Sequence, residues 1–203
     1  MKKSTGLLAV LATVALAGPA QAQICAGFPS SERGFYFGGR ADFPKALDSF
    51  GVEANYNASG PLGVYGGLNV VSVEGVDDSD VNLFHVGVAF EMASLGAMIG
   101  PQVSVCPNIE VQFSDEDDSG QSIPIGIGFG GNLGTPTMSI QPYVNPQLVI
   151  FRSGGDNSST DTEFGARAGV MVGFGMISVG GEIRHLFVDD ADPTFGIRFG
   201  VRI

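Results

Sequence analysis

The chain has 203 residues, with 31 glycines, 15 phenylalanines and no tryptophan, and sets 10 Lys plus Arg against 21 Asp plus Glu for a net charge of -11. That length supports one domain, and a mean hydropathy of +0.23 is too apolar for a disordered chain. The shortage of cations argues against DNA or RNA as a partner, because little is left to neutralise a phosphate backbone.

The first element is an export signal. Lys2 and Lys3 precede the apolar run Leu7 to Ala17, and Ala20-Gln21-Ala22 offers small residues at the two positions a signal peptidase reads. The run is shorter than the ~20 residues a helix needs to cross a bilayer, so cleavage after Ala22 is expected rather than a retained anchor. The approach to Cys25, Ala22-Gln23-Ile24, does not suit a lipidation signal. The expected organisation is a signal peptide at 1–22, an amino-terminal segment at 23–32 that is periplasmic or inserted into a lumen, and a β-domain at 33–203. Losing Lys2 and Lys3 leaves 8 basic and 21 acidic side chains, a net charge of -13.

Beyond position 32 glycine recurs too often for long helices, and the dominant period is two. Ten strands are predicted, at about 34–42, 50–57, 62–73, 81–91, 102–113, 122–130, 139–151, 162–174, 176–187 and 194–203. Their connections alternate in character. One set is polar or acidic, as at Asp77, Asp78 and Asp80, at Asp115, Glu116, Asp117 and Asp118, and at Asp189, Asp190 and Asp192; the other, at 58–61, 92–97, 132–137 and around Gly175, is small and nearly uncharged. In an antiparallel meander this gathers the loop acids at one end.

Each strand splits into two faces. One is almost continuously Phe, Val, Ile, Leu and Ala, as in Phe195, Ile197, Phe199, Val201 and Ile203. The other carries Arg40, Asp42, Glu53, Glu91, Glu110, Glu163, Arg167, Glu182, Arg184, Arg198 and Arg202 among glycines, Tyr, Asn and Gln. A secreted soluble β-sandwich would bury the first face; a membrane barrel inverts the arrangement. Strand length favours inversion, since a tilted transmembrane strand needs about 9 to 11 residues against ~5 or 6 for a soluble one. Charge balance does too, since six acids and five arginines can pair in a confined lumen. The expected fold is therefore all-β, a closed antiparallel transmembrane β-barrel meander of ten strands. Eight is the alternative if 50–57 and its neighbour form an external hairpin.

The signal peptide, the glycine-rich hairpins and the ending Phe199-Gly200-Val201-Arg202-Ile203 resemble the small outer-membrane β-barrel proteins of Gram-negative bacteria, the superfamily of OmpA-, OmpW- and Opa-type barrels. The resemblance implies an outer-membrane location, contact with outer-membrane lipid and lipopolysaccharide, and an assembly signal at Phe199, Val201 and Ile203 read by the barrel assembly machinery. It implies no activity.

The smaller motifs point to no cofactor. Gly126 to Gly131 contains a GxGxxG string, but a turn follows it instead of a helix. The run at Asp115 begins like a calcium loop but has Gly126 where the bidentate Glu belongs, which leaves at most weak divalent cations at the acidic loops. Neither Cys25 nor Cys106 stands in a metal-binding cluster. Glu182 to His185 faintly resembles the His-bearing strand of outer-membrane lipid A deacylases, but that family has Ser two residues after the His and this chain has Phe187. No enzyme is expected.

What remains is a structural or surface barrel, with a narrow channel or a small-solute or hydrophobic-ligand porin as the alternative, because ten strands enclose far less space than 16. Arg198 and Arg202 are expected in the lumen, paired with acids of neighbouring strands, with a partner in the first strand across the closure, Asp42 or the backbone near it. Cys106 faces the lumen, and an oxidising periplasm favours a Cys25–Cys106 disulfide that ties the amino-terminal segment inside as a partial plug.

Overall fold

The computed structural model describes residues 34–44, 47–57, 61–73, 80–96, 102–115, 120–134, 138–154, 159–189 and 191–203. They form β1 (Gly34–Phe43), β2 (Leu47–Asn57), β3 (Leu62–Val73), β4 (Asp80–Phe90), β5 (Ala93–Gly96), β6 (Gln102–Ser114), β7 (Gln121–Gly134), β8 (Met138–Arg152), β9 (Thr160–Phe174), β10 (Ile177–Leu186) and β11 (Thr194–Arg202). All pairings are antiparallel, mostly between chain neighbours. The sheet closes where β1 meets β11, from Tyr36 opposite Arg202 to Phe43 opposite Phe195.

β5 is not an eleventh stave. It continues β4 along the same partner, since β4 pairs with β6 down to Ala89 opposite Asn108 and β5 resumes at Ala93 opposite Val105. Three residues, Phe90 to Met92, face two on the other side, which is a β-bulge. It lies opposite Cys106 and Pro107, and proline has no N–H to carry the ladder through. The Glu91 N–H turns to the Pro61 carbonyl at 2.8 Å, and the Met92 N–H to Val105 at 2.9 Å. The protein is thus a closed ten-stranded antiparallel transmembrane barrel. The eight-strand alternative is excluded, because β2 is hydrogen-bonded along its length to β1 and to β3. The alternation in the sequence predicts a connection at 92–97 and a second strand from 50; the structure instead has strand at Ala93–Gly96 and from Leu47.

The faces divide as the period of two requires. Phe35, Phe37, Phe50, Val52, Val86, Ile127, Leu148, Phe164, Ile197 and Phe199 point outward and are exposed. Tyr36, Arg40, Asp42, Glu53, Asn55, Glu110, Asn145, Arg167, Glu182 and Arg198 point inward and are buried. A single closed sheet with its apolar side outward is the reverse of a soluble sandwich, and it leaves no unpaired edge in hydrocarbon. Two glycines show why the composition is so rich in them. Gly175 opens the tight β9–β10 turn with φ of 58°, a conformation that Cβ-bearing residues avoid. Gly39 on the outer face lies under the ring of Phe199, whose Cζ would be 2.5 Å from any Cβ placed there.

Candidate functional site

The lumen gathers the charged side chains at mid-height. Arg40 on β1 and Arg198 on β11 lie directly opposite each other, a repulsive pair unless acids intervene. Glu182 on β10 supplies one of those acids. Its Oε1 lies 3.2 Å from Arg40 Nη2 and 3.3 Å from Arg184 Nε, its Oε2 lies 3.4 Å from Arg198 Nη2, and Oε2 also accepts a short hydrogen bond from the Tyr143 hydroxyl. Asp42 binds Arg40 and Arg184, each at 2.7 Å. Glu53 on β2 is 3.7 Å from Arg198 and accepts from the Tyr36 hydroxyl at 3.4 Å. A second pair spans β9 and β6: Arg167 Nη2 lies 3.4 Å from Glu110, which also accepts from the Gln112 amide at 2.5 Å. His85 is buried on this wall, opposite Gln112.

Of the eleven charged residues read from the sequence, Arg40, Asp42, Glu53, Glu182, Arg184 and Arg198 form one cluster, and Glu110 with Arg167 forms the second pair. The other three lie apart. Glu91 accepts from Ser104 Oγ at 2.7 Å beside the bulge. Glu163 is half-buried on β9, opposite Val149. Arg202 donates to the Gly175 carbonyl at 2.5 Å, at the turn end of the barrel. As expected, Arg198 pairs with an acid of a neighbouring strand, Glu182 on β10, and it also reaches past β1 to Glu53; Asp42 is held by Arg40 and Arg184. Tyr36 and Tyr143 share the polar face by their spacing, but nothing in the sequence marks them as donors to these acids. Their spacing gives the face, and only the closed register gives the partner.

Toward the loop end the lumen opens into three adjoining cavities of about 210, 370 and 290 Å³ that share Gln112. At that end Asp115 accepts from the Asn82 side-chain amide at 2.6 Å and its backbone N–H at 3.0 Å, which holds the Asp115 carboxyl below the usual range. Toward the turn end Tyr36, Asn55, Ser104, Cys106, Gln141 and Ser178 are buried. Cys106 is wholly buried opposite Gly128, and among the described residues no cysteine is free. Cys25, the signal at 1–22 and the segment 23–32 lie outside the described residues, as do Asp77, Asp78, Glu116, Asp117, Asp118 and Asp190. No group of three or more His, Cys, Asp or Glu fit to hold a metal occurs among the described residues. His185 packs edge-on against Phe187, which stacks on Phe164 at 5.4 Å. Phe199, Val201 and Ile203 are exposed on the outer face.

No family model matches the chain, and no curated protein matches it. Among solved structures it is similar to LpxR from Salmonella typhimurium, with a TM-score of 0.52 and 8% identity over 77% of this chain and 73% of that one. It is also similar to the N-terminal β-barrel domain of Pseudomonas aeruginosa OprF, with a TM-score of 0.39 and 12% identity over 84% and 98% of the two chains. The outer membrane enzyme PagL gives a TM-score of 0.41 and 11% identity over 83% and 99%. At 8% identity the likeness to LpxR is one of fold alone, that of a closed antiparallel β-barrel, and it singles out no subfamily.

Proposed function

We propose that this barrel has a structural or surface role in the outer membrane and that its lumen does not conduct. In barrels of this class the longer loops face outward and the short turns face the periplasm, so the acidic connections lie at the cell surface among lipopolysaccharide and its divalent cations. One observation carries the reading: four arginines and four acids meet across the lumen at mid-height, nearly all of them buried, and their charges cancel. An ion crossing this layer would have to displace paired charges that have no water to replace their partners. In planar bilayers the purified protein is expected to give no resolved conductance steps at moderate voltage; regular steps would establish the narrow-channel reading instead. The proposed role is non-enzymatic. That is supported by the place of His185 against Phe187 and by four lumen carboxylates, Asp42, Glu53, Glu110 and Glu182, being spent on arginines.

The amino-terminal segment belongs to the same reading. A bridge from Cys25 to Cys106 would hold it in the periplasmic half of the lumen. The support is that Cys106, Ser104 and Ser178 are small side chains yet wholly buried on walls facing a ten-stranded lumen. The intact mass of the exported protein is expected to show both thiols unlabelled by alkylating reagent until it is reduced. Labelling of both in denatured, unreduced protein would rule the bridge out.

A further inference from the structure

Every proline inside a described strand stands in one of three adjacent staves: Pro107 on β6, Pro124 on β7, and Pro142 and Pro146 on β8. Proline has no N–H to give a ladder and is confined in sheets to edges and bulges, and a closed barrel offers no edge. Pro107 sits at the bulge. The other three interrupt the wall itself.

The registers show where. Between β7 and β8 the pairing stops twice, from Gly126–Gln147 to Phe129–Val144 and again from Gly130–Tyr143 to Leu133–Ile140, where Ile127 faces Pro146 and Gly131 faces Pro142. Between β6 and β7 it stops from Ile109–Ile125 to Gln112–Ser122, where Glu110 faces Pro124. Phe129 and Val144 are left in a short paired stretch with a break on either side. The β2–β3 and β8–β9 seams run without a gap, from Leu47 opposite Val73 to Asn57 opposite Gly63 and from Met138 opposite Phe174 to Arg152 opposite Thr160. The carbonyls of Ile127 and Gly131 have no ladder donor opposite them and hydrocarbon supplies none, so parting the strands here breaks fewer hydrogen bonds than along those seams. Nor do side chains brace β7 from within, since its lumen positions beside the breaks are Gly126, Gly128 and Gly130.

We propose that the β7–β8 seam is a lateral opening through which a lipid acyl chain passes between the bilayer and the lumen. The class of guest follows from what lies on either side. Outside, exposed Ile125, Ile127, Phe129, Val144 and Leu148 border the seam near the middle of both strands, at a depth where the bilayer offers only hydrocarbon. Inside, Gln147 stands at the edge of the first break and lines the cavity of about 210 Å³, together with Pro124, Val149, Phe151 and Leu186. A tail that bends inward is received by this space while its head stays at the interface. An ion has no route to the seam through hydrocarbon. The opening joins lumen to lipid and not water to water, so it is compatible with a barrel that passes no current.

The experiment uses the whole exported protein in nanodiscs containing a phosphatidylcholine with a diazirine at the end of one acyl chain. After photolysis, mass spectrometry maps the labelled residues, and folding of each variant is verified by heat-modifiable migration. Label is expected on lumen-facing Gln147 and Val149 as well as on outward Ile127 and Leu148. Without the probe, amides around Phe129 and Val144 are expected to exchange hydrogen at least tenfold faster than those around Val52 and Leu68 in the unbroken β2–β3 seam. The double variant Pro142→Val, Pro146→Val returns both ladder donors; it is expected to cut the lumen label at least tenfold, leave the outward label unchanged and slow the exchange. Pro146→Val alone takes its place if the double variant does not fold. Label confined to the outward face, equal exchange in the two seams, or undiminished lumen label after the donors are returned would overturn the proposal.

Discussion

Replacing Glu182 by Leu is expected to cost the folded barrel about 3–5 kcal/mol, because the loss of one partner leaves buried charge uncompensated. Glu182 is the group on which Arg40, Arg184 and Arg198 converge, and the Tyr143 hydroxyl completes it. Without it three guanidiniums share Asp42 and Glu53 in a space with little access to water. Urea unfolding of the barrel in lipid vesicles measures the change. Glu182→Gln, which keeps oxygen and shape but not charge, is expected to fall between wild type and Leu. Arg202→Ala at the turn end, where the side chain reaches a backbone carbonyl beside solvent, is expected to cost under about 1 kcal/mol. A Leu variant as stable as wild type would mean that the arginines are neutralised by something other than this carboxylate, and the proposed seal would lose its centre.

The sequence made the staves legible because strands of ten or more residues repeat the period of two often enough to be unambiguous, and β3, β6 and β9 run nearly where the alternation puts them. It made the lumen face legible for the same reason. It could not show the pairing, because partners are set by closure and not by spacing along any strand. Arg198 finds Glu53 with β1 between them, and Arg167 finds Glu110 with β7 and β8 between. β5 was hidden by its small side chains and by a bulge that depends on the residues opposite, Cys106 and Pro107. The apolar wall at Val149 and Phe151 went unread because these residues continue an apolar run through Ile150, so period and hydrophobicity gave conflicting faces there.

Phe199→Arg is expected to obstruct insertion, by about 2–4 kcal/mol if the position lies near the bilayer midplane. The ring is 62% exposed, stands at the middle of the β1–β11 seam opposite Gly39, and faces away from the lumen, so nothing in the protein can pair the new charge. Refolding into vesicles of defined thickness, read by heat-modifiable migration, is expected to show little assembled Arg variant. Val201→Arg, two residues nearer the turn end, is expected to fall to about 0–1 kcal/mol as the side chain approaches the interface. The gradient separates lipid contact from recognition of the carboxyl-terminal signal. In vesicles without assembly machinery only depth matters, so Phe199 is sensitive while Val201 and Ile203 are nearly silent. In cells all three positions are expected to lower the amount of assembled barrel if the terminus is read as a signal. Equal tolerance of arginine at Phe199 and Val201 in vesicles would mean that the outward face does not meet hydrocarbon at this seam.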